Sequence, residues 1–191
     1  MIYTVTLNPS LDYIITIDEI NIGKLNETED YLVLAGGKGI NVSLVLNNLG
    51  IDTIATGFIA GFTGNEIIRQ LDESSCKHDF ISLEEGYNRI NIKLKSKEET
   101  EINAKGPTIS EPNIQSLVQK LSLVTKDDYI VLSGSVPKNL PEDIYQRIMK
   151  EVSDTGAKIV LDTRKKYLEY GLEMKPFLIK PNKNELEEIY G

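Results

Sequence analysis

Tryptophan is missing from this chain, and cysteine and histidine occur once each, as Cys76 and His78. A single cysteine excludes an internal disulfide framework, and one residue of each kind leaves no ligand set at zinc spacing. A nucleophile–base pair of Cys76 with His78 would have no third group to orient it. Long apolar runs are missing too. None approaches the ~20 residues that a membrane-spanning helix requires. Residues 1–4 show no basic stretch leading into an apolar one, so neither a membrane segment nor a signal peptide is expected. Positive charge is outweighed: 21 Lys and Arg stand against 29 Asp and Glu, a net charge of -8. That balance argues against nucleic acid or an anionic membrane as a main partner. What remains is 191 residues, 40% hydrophobic and 26% charged, the profile of one soluble domain with a sizeable core. The cysteine usage fits a cytoplasmic location.

Against this plain background one segment stands out, Ala35-Gly36-Gly37-Lys38-Gly39-Ile40-Asn41-Val42. Glycine lets backbone N–H groups approach a ligand closely and tolerates positive φ. The apolar pattern that follows predicts a helix, whose first turn adds free N–H donors and partial positive charge. Lys38 adds a full charge, so the segment suits an anion or a phosphorylated, hydroxyl-rich ligand. It is not a Walker A loop, because no GxxxxGK[ST] spacing exists. A glycine turn capping a packed helix is the structural alternative.

Strand signals at residues 2–7, 53–58, 129–132, 158–161 and 177–179 alternate with helix signals at 39–49, from 65, from 110 and at 141–152. In the helix at 39–49, Val42, Val45, Leu46 and Leu49 form the expected apolar stripe, and Asn184 is the expected cap of a last helix. Continuous apolar strands at βαβ spacing predict an α/β fold with a mostly parallel central sheet flanked by helices. Two stretches read differently. Residues 11–17 alternate, as do residues 89–95, which a turn at 96–97 joins to a partner at 98–104. Ile90, Ile92 and Leu94 share one face of this ribbon, and Arg89, Asn91 and Lys93 share the other. They predict a separate small β-sheet with one polar and one apolar face.

In open α/β sheets ligands bind beyond the carboxyl ends of the strands. There this sequence places Ser133-Gly134-Ser135, Asp162, and Lys180-Pro181-Asn182 with Glu185 one helical turn on. Each has a structural alternative: a turn for the serines, helix caps for Asp162 and for the Asn182/Glu185 pair, solvated charge for Lys180, Arg89 and Asp12.

Five ordered segments carry a resemblance: Thr6-Leu7-Asn8-Pro9-Ser10-Leu11-Asp12, the 35–42 segment, Arg89-Ile90-Asn91-Ile92-Lys93-Leu94, Ser133-Gly134-Ser135-Val136-Pro137 and Lys180-Pro181-Asn182-Lys183-Asn184-Glu185-Leu186. In this order they resemble the ribokinase-like (PfkB) carbohydrate kinases. The resemblance implies that residues 1–191 are the N-terminal portion of one ribokinase-like domain, with lid strands within 11–35 and 87–104. It implies an ATP- and Mg2+-dependent kinase that converts fructose 1-phosphate to fructose 1,6-bisphosphate. Alternatives are tagatose 6-phosphate or fructose 6-phosphate as substrate, or a non-catalytic sugar-phosphate-binding module. Asp12, Gly36, Gly37 and Asn41 would hold sugar hydroxyls. Lys38 and Arg89 would clamp the phosphate already on the substrate, Lys24 would reach it across a homodimer formed through the lid, and Ser133 or Ser135 would line the pocket. Lys180 would lie beside the nucleotide phosphates, and Asn182 and Glu185 would form the magnesium-linked pair, Glu185 acting through water. The family's GAGD-type motif, with the general-base aspartate and the anion hole, is not found in these residues. The chain is therefore expected to be inactive or nearly so by itself.

Overall fold

The computed structural model describes the backbone of residues 1–190 and the side chains of residues 1–187; Gly191, the last residue of the expected domain, lies outside the described residues. The chain builds two sheets of opposite character. The central one contains β1 (Ile2–Thr6), β4 (Thr53–Ala60), β5 (Ile81–Leu83), β8 (Tyr129–Ser133), β9 (Lys158–Asp162) and β10 (Leu178–Ile179), in the order β10-β9-β8-β1-β4-β5. Every neighbouring pair is parallel. The helices are α1 (Lys38–Asn48), α2 (Gly61–Glu73), α3 (Glu111–Leu121), α4 (Ile144–Glu151), α5 (Lys166–Leu172) and α6 (Lys183–Tyr190). Val5, Leu7, Phe58, Ile130, Leu132, Leu117, Tyr145 and Ile148 are all fully buried in one core cluster. Apolar side chains on both faces of the strands explain their unbroken apolar runs.

α1 departs from the expected stripe. Its inward residues are Gly39, Ile40 and Ser43, while Val45 and Leu49 stay exposed. The reason is close packing. A Cβ at Gly39 would collide with the Thr6 hydroxyl and the Val5 carbonyl, and the Ser43 hydroxyl bonds that of Thr4 at 2.7 Å. Small residues let the helix approach β1, and that turns the apolar residues outward. At the other end of the chain the cap of α6 is Asn182 rather than Asn184. Asn182 Oδ1 accepts from the Glu185 N–H and Glu185 Oε2 accepts from the Asn182 N–H, both at 2.9 Å, a reciprocal capping box. α3 is capped as expected, by Ser110.

The second sheet is the lid: β2 (Ser10–Thr16), β3 (Tyr31–Gly36), β6 (Arg89–Lys95) and β7 (Thr100–Ile102), in the order β3-β2-β6-β7. β2 runs parallel to β6, and the two outer pairings are antiparallel. β7 is shorter than the expected 98–104. Directly paired residues share a face, so the register sorts the side chains. Tyr13, Val33, Ile90, Ile92 and Ile102 lie on one face, and Ser10, Asp12, Arg89, Asn91, Lys93 and Glu101 lie on the other.

Candidate functional site

A cleft of about 350 Å³ opens where the polar lid face meets the carboxyl ends of β1, β8 and β9 and the start of α1. Its wall includes Asn8, Asp12, Gly37, Lys38, Asn41, Arg89, Asn91, Lys93, Ser135 and Glu185. Gly37 takes φ +121, and a Cβ there would run into Thr6. The turn into α1 therefore requires glycine. α1 is then seated by the Ile40 N–H, which donates to Thr6 Oγ1 at 3.1 Å.

Asp12 is the most heavily supported carboxylate of the cleft. Its Oδ1 accepts from Ser10 Oγ at 2.8 Å and Asn91 Nδ2 at 3.0 Å, and its Oδ2 pairs with Lys93 Nζ at 2.9 Å. Burial pushes its pKa up, but the bonds from Lys93, Ser10 and Asn91 outweigh burial and hold it below the ordinary aspartate value. The same bond from Asp12 raises Lys93. Gly36 stands behind this carboxylate: a Cβ there would meet Ser10 Oγ and the Asp12 carboxyl.

Arg89 donates from Nε at 3.1 Å and from Nη2 at 2.7 Å to the single carbonyl of Asn8. Burial pulls its pKa down and Asp12 pushes it back. The neighbour Asn88 is buried and clamps the end of β4. Its Oδ1 accepts from the Ala60 N–H at 2.8 Å and its Nδ2 donates to the Phe58 carbonyl at 3.1 Å. This fixes the point at which the chain crosses into the lid.

Lys38 does not stand alone as a clamp. Its Nζ lies 2.9 Å from Asp162 Oδ1 and 3.2 Å from Glu185 Oε1. Burial lowers its pKa, but the two carboxylates raise it above the ordinary lysine value. Glu185 is lowered against its own burial by the Asn182 N–H and by Lys38. Asp162 is therefore an ion-pair partner and not a helix cap. Lys180 approaches its Oδ2 only to 3.9 Å.

Of the expected residues, the cleft gathers Asp12, Gly37, Lys38, Asn41, Arg89, Ser135 and Glu185. Gly36 and the fully buried Ser133 lie behind its wall. Lys180 and Asn182 flank it through Asp162 and Glu185. Lys24 sits exposed on the loop between β2 and β3, away from the wall. Asn8, Asn91 and Lys93 were not singled out in the sequence. The alternation that put Asn91 and Lys93 on the face of Arg89 was the signal available for two of them. Among the described residues no group of three or more His, Cys, Asp or Glu converges as a metal site. No helix there is long and apolar enough to cross a membrane.

The chain is similar to known proteins in sequence and in fold. A Bacillus subtilis 1-phosphofructokinase is 43% identical over 191 residues, and a Bacillus licheniformis D-tagatose-1-phosphate kinase is 37% identical over 191 residues. Each alignment covers the whole of this chain. The chain spans 63% and 62% of the length of these relatives, respectively. The crystal structure of a Staphylococcus aureus protein assigned as a phosphofructokinase superposes with a TM-score of 0.86 at 45% identity, covering 100% of this chain and 62% of that one. The sequence model of the pfkB family carbohydrate kinases matches residues 5–191. By that match over nearly its whole length, the chain belongs to the pfkB family of carbohydrate kinases.

Proposed function

We propose that this chain provides the acceptor-sugar half of an ATP-dependent kinase that converts fructose 1-phosphate to fructose 1,6-bisphosphate. The observation that carries the reading is Arg89. Its guanidinium is oriented by one carbonyl through two of its N–H groups, and among the described residues no carboxylate forms a salt bridge with it. An oriented guanidinium with donors to spare suits a phosphate, which it meets as a planar fork. Asp12 and Asn41 face the same cleft, with Gly36 and Gly37 beside them, and would hold the sugar hydroxyls; Ser135, with Ser133 behind it, closes the far wall. Two relatives carry a 1-phosphoketose in their names, which favours fructose 1-phosphate and makes D-tagatose 1-phosphate the second reading. Tagatose 6-phosphate and fructose 6-phosphate rank below both, as does a non-catalytic binding module.

In this reading residues 1–191 are the N-terminal portion of one ribokinase-like domain. Lys180, Asn182 and Glu185 face the nucleotide side. The buried carboxylates of Glu185 and Asp162, both bonded to one ammonium, form an oxygen donor set that suits Mg2+, which keeps much of its water. When bound, Mg2+ would neutralise phosphate charge. The described residues would position the sugar and balance charge, the main burden of phosphoryl transfer. The apolar lid face fits a second copy of this chain, and Lys24 on the lid loop would reach the neighbouring cleft. Calorimetric titration with fructose 1-phosphate tests the reading. Arg89→Ala should weaken binding about 10–100-fold, as expected for a charge-assisted bond. Unchanged affinity, or a preference for fructose 6-phosphate, would sink it.

A further inference from the structure

Lys38 stands between two sets of groups with opposite demands. Its side chain is 42% exposed and lines the cleft, yet its ammonium is spent on Asp162 and Glu185, whose side chains are 7% and 9% exposed. Buried carboxylates need a counter-charge, and among the described residues the other cations near them are Lys180, which reaches Asp162 Oδ2 at 3.9 Å from a largely exposed position, and Arg164, which lines the same cleft. A sugar phosphate arriving at Lys38 would therefore compete with two like charges for one ammonium.

We propose that Asp162 and Glu185 hold the Lys38 ammonium in reserve, and that a divalent cation taking over these carboxylates releases it to the sugar phosphate, so that cation and sugar phosphate bind cooperatively through one side chain. This rests on the sugar-phosphate reading above. The local geometry permits the exchange without backbone movement. α1 is anchored through Thr6 and the Gly37 turn, so only the lysine stem swings. Gly134 faces that stem and has no side chain to obstruct it; even an added Cβ would lie at 3.5 Å from Lys38 Cβ. Glu185 stays in place when the lysine leaves, because its Oε2 is held by the Asn182 N–H. Arg89 and Lys93 are tied to other partners, Asn8 and Asp12, whereas Lys38 is the cleft cation that pairs with both Asp162 and Glu185. Asp162 acts in this scheme as a positioning residue. The linkage is reciprocal: sugar phosphate must tighten cation binding by the same factor.

Calorimetric titration of the chain with fructose 1-phosphate, with and without saturating Mg2+, tests the proposal on the parent, Asp162→Asn and Lys38→Met. Mg2+ should tighten the parent about fivefold or more. Asp162→Asn should bind the sugar phosphate more tightly than the parent without Mg2+, and should gain little from its addition. A merely structural aspartate would give the opposite sign. Lys38→Met should bind weakly and ignore Mg2+, which also controls for Mg2+ bound to the ligand itself. Coupling of full size in Lys38→Met, weaker binding by Asp162→Asn, or a parent that binds without any Mg2+ effect overturns this proposal alone. A parent that binds fructose 1-phosphate under neither condition overturns the sugar-phosphate reading and this proposal with it.

Discussion

The central sheet and the lid are built from similar lengths of strand, yet they are held by different physics. In the central sheet Val5, Phe58, Ile130 and Leu132 are wholly out of water, with helices on both sides. In the lid, Tyr31, Val33, Ile90 and Ile102 keep more than a third of their surface exposed, while the opposite face carries Asp12, Arg89, Asn91 and Lys93. The central sheet satisfies itself. The lid satisfies one face with charge pairs around a cleft, and its other face is buried at Leu11 and Ala35 against α1 and α2 but left open at Tyr31, Val33, Ile90 and Ile102. A sheet with an unburied apolar face is an interaction surface, and one with polar side chains converging on a cleft is a reader of ligands. The lid offers both kinds of face, while the central sheet meets the cleft only at the carboxyl ends of its strands.

The largest effect expected from this contrast is in the core. Phe58→Ala should lower unfolding stability by about 3–5 kcal/mol in urea titration, from lost apolar contact plus the cavity left behind. A cost below about 1 kcal/mol would break the comparison, because the central sheet would then not be the part that stabilises itself. The second effect is on association rather than folding. Ile90, 43% exposed, lies on the apolar lid face. Ile90→Lys should lower the urea midpoint only by what association adds, a loss that depends on protein concentration and not on the fold of the single chain. It should convert a dimer to a monomer in sedimentation velocity. A parent chain that is already monomeric at micromolar concentration would end the reading of the lid as a dimer surface.

The same contrast explains what the sequence made legible. The parallel sheet could be read because buried strands are continuous apolar runs, as at 129–132, and the lid because a two-faced strand alternates, as at 89–95. The inward face of α1 could not. Gly39 and Ser43 carry no hydrophobic signal, and their importance lies in the space they do not fill. The state of Lys38 could not be read either. Its partners lie 124 and 147 residues away, and nothing local marks a lysine as already paired. Asn182 and Glu185 could be read in two ways, as a capping pair or as a functional pair, and the capping bonds are what the structure shows. In the structure the capping bonds use one oxygen of Glu185 and Lys38 uses the other.

The smallest effect sharpens the comparison from the polar side of the lid. Asp12 is lowered mainly by Lys93, against the burial that raises it, so its charge is worth more in the folded chain than in the unfolded one. A depressed carboxylate contributes stability above its unfolded pKa and loses it as pH falls through the folded value. Lys93, raised chiefly by Asp12, contributes below its unfolded pKa and loses it as pH climbs through the folded value. The pair should therefore stabilise across neutral pH and fade at both extremes. Lys93→Met should cost about 1 kcal/mol at neutral pH, the scale of a partly exposed pair. That difference from the parent should shrink as pH drops below the ordinary aspartate range, while the Phe58→Ala deficit, which involves no charge, should persist there. A Lys93→Met deficit that is flat with pH would mean that the charge of Asp12 is not what the lysine answers, and the contrast between a charge-paired lid face and an apolar core would fail, because Met keeps the apolar stem and removes only the ammonium.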